Sequence, residues 1–434
     1  MLILRQKWIV ALPSNVIQYA STHGKLQGHG KLEGLNLSKD IWQFFVVSGI
    51  SNFAIVLPKA VLTPVLVARG LSFSDVLIVQ TAFMAAILLC EIPSGYLADR
   101  YSRKAVYLIS IVVTGAAYML VYWGYGLSLM ILAWALYGAG SALRSCTMDF
   151  YFMAKVRGDA KKYKQYFVLS RNIPLISSIA AAALTSILFL NIGDALYLVS
   201  LALFILSLLL GAIFLPSVRK DGTPGDARSR SILVDSWRSL RKRASGASML
   251  YLIAILCLTQ IAFTPFYQLW QMVLLERGIE PYLFGAFFIV FQVINIAANW
   301  LFSKLTLLHN LELYLLVLLL LITIIALSAN STLPLLGSIF VLPLLLYCFN
   351  NRIEMDLEKS LPEGVMSSLG SIAGAASGAS SLLVLSLNAW MLNFLEPQTV
   401  MFTTIMAFSL ITGTVVFIPV FQKRAKLHRT DAII

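Results

Sequence analysis

From Ile41 to Phe421 the chain is a near-continuous series of apolar runs, each bounded by a short polar or charged stretch. Such a run matches the roughly 20 residues a helix needs to cross a hydrocarbon core. The runs fall at 41–67, 76–98, 105–125, 129–154, 165–190, 194–215, 248–275, 283–303, 312–328, 332–351, 364–392 and 399–421. Each is expected to be helical, because a backbone N–H or C=O facing lipid has no water to pair with. Composition supports this. The chain is 59% hydrophobic and 12% charged, with a mean hydropathy of +0.82, whereas soluble domains carry about 25% charge. Too few charges remain to cover a water-soluble enzyme, and disorder needs low hydrophobicity.

The longest interruption, Pro216 to Ala247, divides six runs from six. The expected organisation is a cytosolic tail (1–40), a six-helix bundle (41–215), a cytosolic linker (216–247), a second six-helix bundle (248–421) and a short tail (422–434). The fold class is all-α, with twelve transmembrane helices in two six-helix bundles. Of 33 Lys and Arg residues, 28 lie in the tails and in alternate loops. The opposite loops hold only Arg69 and Arg277, and Lys59, Arg144 and Arg171 lie inside spans. By the positive-inside rule both termini are cytoplasmic. The net charge of +13 is then a topology signal and a contact for anionic lipid. No nucleic-acid partner is expected, since no basic stretch has the context of a nucleic-acid fold.

The tails and linker carry weaker signals. His23-Gly24-Lys25-Leu26-Gln27-Gly28 is followed by His29-Gly30-Lys31-Leu32-Glu33-Gly34, a tandem repeat of flexible composition. It reads as a flexible tail, with metal binding through His23 and His29 as the sharper alternative. In the linker, Leu233, Trp237 and Leu240 recur at helical spacing among Arg238, Arg241, Lys242 and Arg243. That pattern fits a basic amphipathic helix on the inner leaflet, with a calmodulin-type target as the alternative. Cys90, Cys146, Cys257 and Cys348 lie in apolar runs, so no disulfide framework is implied. No span contains His, so no metal site and no cofactor are expected.

The second run ends in Glu91-Ile92-Pro93-Ser94-Gly95-Tyr96-Leu97-Ala98-Asp99-Arg100-Tyr101-Ser102-Arg103-Lys104. This stretch resembles the signature loop of the major facilitator superfamily at Gly95, Leu97, Ala98, Asp99, Arg100, Arg103 and Lys104. It departs at Ser102, where the family usually has glycine. Tyr137 to Ser145, with Gly138 and Gly140, is similar to the fourth span of the family's exporters. The resemblance covers residues 41–421. It implies that Gly95, Asp99, Arg100, Arg103 and Lys104 form a gating latch between spans 2 and 11, which stabilises the outward-facing state. Gly370, Gly374 and Gly378 on span 11 form a small-residue stripe that permits close helix contact. Asp99, an anion at a helix end, suits the N–H groups of a partner helix start, which here follows Leu361-Pro362-Glu363. Topology control alone is the plainer role for the same loop. The matching position in the second half, Asn299 to Lys304, lacks both Gly and Asp.

Ionisable groups in a bilayer are costly, so each needs a reason. Glu91, Arg144, Asp149 and Arg171 lie in the first six spans and suit a charge network. That network either locks the bundle or passes protons. Span 1 carries Ser48, Asn52 and Lys59 on one face. Lys59 has no obvious acidic partner in the spans, so it suits an anionic or carbonyl-bearing ligand, or snorkels outward. Span 7 carries Gln260, Thr264, Gln268 and Gln271, beside an aromatic stripe of Phe263, Tyr267 and Trp270 that suits packing. Span 8 carries Gln292, Asn295 and Asn299. By the resemblance these stripes line one central cavity, with Asn52, Lys59, Gln260, Gln268, Gln271, Gln292 and Asn295 as its polar residues.

The expectation is a secondary transporter rather than an enzyme. It would be a proton-coupled exporter of small amphipathic molecules or metabolites, working by alternating access as a monomer in a bacterial inner membrane. Its partners are a small-molecule substrate, protons and anionic lipid. An importer or facilitator on the same fold, or a non-transporting membrane sensor or scaffold, are the alternatives. A membrane-embedded transferase is disfavoured, because no intramembrane His or paired carboxylates supply a catalytic base. The latch yields a first prediction. Asp99→Asn should insert normally yet lower substrate flux severalfold, and wild-type flux in that variant, measured in proteoliposomes, would exclude a latch.

Overall fold

The computed structural model describes residues 37–100, 102–145, 147–217, 246–305, 311–328, 331–360 and 366–431. The tail repeat with His23 and His29, the amphipathic linker segment and Leu361-Pro362-Glu363 lie outside the described residues. So do the side chains of Gly95, Asp99, Arg100 and Gly370. Among the described residues the architecture is helical, with no strand. Nine described stretches are long and apolar enough to cross a membrane. One of these, Lys161–Phe214, holds two successive helices joined by a 3-10 turn at Gly193–Ala195. Tyr314–Leu327 is a shorter apolar helix.

The chain divides into two compact units. The first comprises Met1–Ser239, Glu280–Ile289 and Pro362–Gly374, and the second Leu240–Ile279, Val290–Leu361 and Ala375–Ile434. In chain order the first half supplies α1 (Lys39–Val56), α2 (Leu62–Ala68), α3 (Phe73–Arg100) and α4 (Arg103–Trp123). It continues with α5 (Leu127–Ser145), α6 (Met148–Val156), α7 (Ala160–Ile192) and α8 (Leu196–Phe214). The second half supplies α9 (Gly246–Glu276), α10 (Phe284–Leu305), α11 (Leu311–Leu327), α12 (Thr332–Ser360), α13 (Met366–Met391) and α14 (Pro397–Asp431).

In the first unit α5 packs against both α3 and α4. Two glycines make this possible. A Cβ on Gly138 would strike the carbonyl of Phe83 and the side chain of Ala86 on α3. A Cβ on Gly140 would meet Thr114 and the Ser110 carbonyl on α4. Without side chains at these positions the backbones approach closely, which is how helices gain van der Waals contact when lipid offers no hydrophobic drive. The adjoining core is aromatic: Phe83 and Tyr137 lie 4.8 Å apart, and Tyr118 meets Tyr137, Tyr197 and Phe204 edge-on at 5.3–5.6 Å. α8 packs on α1 and α4, and Ser207 donates to the Val47 carbonyl at 3.0 Å. The start of α10 belongs to this unit, where Gly285 lies against the Ala182 carbonyl and Ser186 of α7.

In the second unit α9 and α11 each pack against α12 and α14. Phe349 and Phe408 meet edge-on at 5.7 Å across α12 and α14. Large apolar side chains such as Leu209, Ile213 and Leu387 remain more than half exposed, as helices facing lipid require.

Two expected spans are not single helices. Span 1 breaks after Val56, passes through a 3-10 turn at Lys59–Val61 and resumes as α2. Pro58 brings no N–H to the ladder, so one carbonyl bond of the preceding turn is lost. Span 4 breaks at Thr147, whose φ of −114° and ψ of −105° are not helical. There Thr147 Oγ1 donates to the Arg144 carbonyl at 3.0 Å and Ser145 Oγ to the Ala142 carbonyl at 2.8 Å. Side-chain hydroxyls that take backbone carbonyls compete with the helical ladder.

Gly138→Leu should be poorly tolerated, because the atom in its way is a backbone carbonyl that cannot rotate aside. Overpacking costs about 1–3 kcal/mol where neighbours can shift. The expected result is loss of the monodisperse peak in detergent, or a clear drop in Tm, while Gly413→Leu, where a Cβ has open space, leaves both unchanged.

Candidate functional site

The break in span 1 sets the geometry of the first unit's polar interior. It leaves backbone carbonyls that a continuous helix would have paired. Tyr118 Oη on α4 donates to the Ile55 carbonyl at 2.7 Å. Thr185 Oγ1 on α7 donates to the Leu57 carbonyl. Lys59 opens the 3-10 turn two residues after the Leu57 anchor and is half-buried. An irregular backbone at membrane depth is tolerated where protein buries it or where it lines a cavity.

Asn52, about two helical turns before Lys59, is 7% exposed. Its Nδ2 lies 3.0 Å from the Pro174 carbonyl, 2.7 Å from Ser177 Oγ and 3.2 Å from Ser178 Oγ. Expected as a cavity residue, it therefore spends its amide donors on tying α1 to α7. The partner is Pro174, which lies inside the continuous helix α7 and gathers hydroxyl donors around its carbonyl. Ser177 and Ser178 also donate there, at 3.1 and 2.7 Å.

The intramembrane charges take distinct positions in this unit. Arg144 is in the last turn of α5, 8% exposed, immediately before the span 4 break. Asp149 opens α6, and Tyr166 Oη donates to its carbonyl at 3.1 Å and approaches its carboxylate at 3.5 Å. Arg171 on α7 lies over the Phe167 ring at 4.5 Å, within cation–π range. Glu91 is half-buried on α3, and its carbonyl accepts from Ser94 at 2.8 Å.

At the signature loop, α3 runs through Arg100. Ser102 N-caps α4 and accepts from the Ala105 N–H at 3.4 Å. This gives a physical role to the residue that departs from the family's glycine, since serine is a favoured N-cap. Lys104 Nζ donates to the Ala212 carbonyl at 2.7 Å. That carbonyl lies in the last turn of α8, where a cation complements the helix dipole.

Outside the spans, Lys155 pairs with Asp40 at 2.8 Å. The hydrogen bond to that carboxylate pushes the lysine up from its ordinary value. Asp159 caps α7 through the N–H groups of Lys161 and Lys162 at 3.0 and 3.1 Å. The Lys162 backbone N–H is the main cause that holds its carboxyl below the usual range.

In the second unit the amides divide between contact and access. Gln260 is 4% exposed, and its Oε1 accepts from Ser381 on α13 at 3.1 Å. Ser380 donates to the Cys257 carbonyl at 2.8 Å. Gln271 and Asn295 are buried, whereas Gln268 and Gln292 are half-buried. Gly374 and Gly378 on α13 are buried. The aromatic stripe packs: Phe263 stacks on Tyr267 at 6.0 Å, Trp270 meets Phe291 edge-on at 5.1 Å, and Phe266 is fully buried. Tyr267 Oη donates to Tyr347 Oη on α12. That pair was not visible in the sequence, where Tyr267 belonged to an aromatic stripe that suits packing. On α12, Arg352 pairs with Glu312 at 2.7 Å and Asp356 at 3.3 Å, and Asn351 donates to Asn299 Oδ1 at 2.7 Å. No group of three or more His, Cys, Asp or Glu among the described residues could hold a metal ion.

Thr185→Val is nearly isosteric and removes the donor to the Leu57 carbonyl. Interhelical hydrogen bonds in membranes average about 0.6 kcal/mol and reach about 1.7. A fall of a few degrees in Tm is expected for Thr185→Val and again for Tyr118→Phe. An unchanged Tm in both would mean that the break is held by other contacts.

A profile of the Major Facilitator Superfamily matches residues 43–384. No curated protein matches the chain significantly. Among solved structures, the nucleoside transporter NupG superimposes with a TM-score of 0.65 at 13% identity, covering 88% of this chain and 98% of its own. A bacterial homologue of the iron transporter ferroportin in the inward-facing state gives 0.66 at 17% identity, covering 87% and 97%. The peptide transporter POT in complex with sulfate gives 0.67 at 13% identity, covering 96% and 98%. At these identities the likeness is one of fold.

Proposed function

The chain belongs to the major facilitator superfamily, and from that premise we propose a proton-coupled exporter of small amphipathic molecules. In this reading twelve spans form two bundles, both termini face the cytoplasm, and the bundles rock about a midplane site. The protein acts as a monomer in a bacterial inner membrane. Latch residues Asp99, Arg100 and Arg103 open to admit substrate from the cytoplasm. The export direction rests on the resemblance around Glu91–Lys104.

The observation that carries the reading is the distribution of charge. Glu91, Arg144, Asp149 and Arg171 concentrate in the first half, beside a broken span that carries Lys59. In the second half the span interiors are polar without charge, and charges such as Glu276, Lys304, Glu312 and Arg352 stand at or beyond the span ends. Charged groups at membrane depth mark ion and substrate pathways. Glu91 is the better proton carrier of the two acids, since the Asp149 carboxylate already faces the Tyr166 hydroxyl. Lys59, Gln268 and Gln292, all half-buried, are the favoured substrate contacts. Asn52 and Gln260, held in helix–helix hydrogen bonds, position α1 and α9 in this scheme. The solutes named for the similar structures (nucleosides, iron, peptides) differ so widely that this chain's own residues are the better guide. Amides and one ammonium suit an amphipathic solute with a carbonyl or anionic group.

The test is flux in proteoliposomes against a panel of amphipathic compounds, with and without a pH gradient. A gradient should stimulate flux of at least one compound, and Glu91→Gln should abolish the stimulation. Lys59→Gln should raise KM for anionic compounds by about tenfold, the equivalent of ~1.4 kcal/mol. Flux indifferent to the gradient would exclude proton coupling and leave a facilitator.

A further inference from the structure

The two cationic residues on the sparsely charged loops share a construction. α2 ends in Arg69-Gly70-Leu71 and α9 ends in Arg277-Gly278-Ile279. Gly70 has φ 86° and Gly278 φ 71°, the left-handed conformation of a helix C-cap. The capping bonds match one for one. Gly70 N–H donates to Val67 and Leu71 N–H to Leu66, while Gly278 N–H donates to Leu275 and Ile279 N–H to Leu274.

In both units the arginine then links the capped end to two neighbouring helices, directly in the first unit and through Gln398 in the second. Arg69, with its side chain 4% exposed, donates to the carbonyl of Gly124, the C-cap of α4, at 3.0 Å. It also pairs with Asp194, in the turn that leads into α8. Its guanidinium lies 5.9 Å from the Tyr122 ring and 5.2 Å from the Tyr125 ring. Arg277 donates to Gln398 Oε1 in the first turn of α14. Gln398 Nε2 in turn donates to the Ala326 carbonyl at the end of α11, at 2.9 Å. One arginine therefore ties α2 to α4 and α8, and the other ties α9 to α11 and α14.

We infer that Arg69 and Arg277 are matched positioning residues, each pinning the end of its unit's first span to two neighbouring helices so that this end moves only with its unit. The demand is greatest in the first unit. α2 has seven residues and is separated from α1 by the Leu57–Val61 irregularity, so little in its own backbone resists a pivot. Pinning at Arg69 fixes α2 from its far end, and with it the turn that carries Lys59. A planar guanidinium suits this task, because its fork of donors reaches a carbonyl and a carboxylate at once, which an ammonium does less well. The inference goes beyond the proposed transport and needs no substrate for its test.

The test uses the full chain in detergent, with Cys90, Cys146, Cys257 and Cys348 replaced by serine, and follows N-ethylmaleimide labelling of a single new cysteine. Val65→Cys reports on α2, where Val65 is 2% exposed, and Val47→Cys reports on α1, where Val47 is fully buried. Adding Arg69→Gln should speed labelling at Val65→Cys by about tenfold or more, the effect of losing one buried charged hydrogen bond, and leave Val47→Cys unchanged. Arg69→Lys should lie between. Equal rates at both sites with and without Arg69→Gln would overturn the proposal. A parallel rise at both sites would also overturn it, as the mark of general loosening. If Arg69→Gln does not survive extraction, Asp194→Ala carries the same comparison, and an unchanged Val65→Cys rate there overturns the proposal.

Discussion

The structure depends on one rule of the lipid environment: a backbone carbonyl that loses its helical partner must find another from protein. Span 1 shows the rule most plainly. Pro58 interrupts the ladder, and the carbonyls of Ile55 and Leu57 are taken by hydroxyls from α4 and α7. These two bonds do more than repair a defect. They hold the irregular segment in place, and Lys59 stands in it. Span 4 applies the rule locally, with Ser145 and Thr147 turning their hydroxyls onto the preceding turn beside Arg144. In both spans, charge and irregular backbone coincide.

This coincidence explains which parts of the molecule were legible in the sequence. That the described spans are helical followed from the length of the apolar runs, which suit helices rather than the shorter alternating strands of a barrel. Gly138 and Gly140 stood in the sequence only as part of a resemblance to the family's fourth span, and the structure gives their use: their missing side chains are what the Phe83 and Ser110 carbonyls require. The family was visible in the loop from Gly95 to Lys104. The breaks were less visible, since proline is common in membrane helices and seldom divides one. Partners were not visible at all. Asn52 shares a face with Lys59 in the sequence, yet its amide is engaged by Pro174, Ser177 and Ser178, which lie more than 120 residues away. A stripe of amides says that a face is not against lipid. It does not distinguish a cavity from another helix.

Gln260 and Gln268 make the same point in the second unit. They lie about two turns apart on one face of α9, and only the first is buried against a serine of α13. A polar stripe in a membrane helix thus divides its residues between two uses. Those at close helix contacts supply specificity of packing, and those that remain half-buried stay open to a solute. The division depends on how near the neighbouring backbone comes, a quantity set by small residues on the partner helix rather than by the stripe itself.

Arg69 and Arg277 carry this argument from the spans to their ends. A count of charges treats them as two exceptions to an orientation rule. Their surroundings show instead that a cation on a sparsely charged loop can be retained for geometry, because Arg69 is nearly enclosed and its donors are spent on a helix end and on a turn. The signal was present in both halves as Arg-Gly after an apolar run. Its meaning required the left-handed glycine that ends the helix and thereby turns the chain sharply beside the arginine. Each half of the chain meets the same problem, a long first span whose end must be held. Each answers with the same dipeptide, but the partner differs, a carboxylate in one unit and an amide in the other. The first unit, whose span is broken, has the charged version, and a broken helix is the one that most needs its far end fixed.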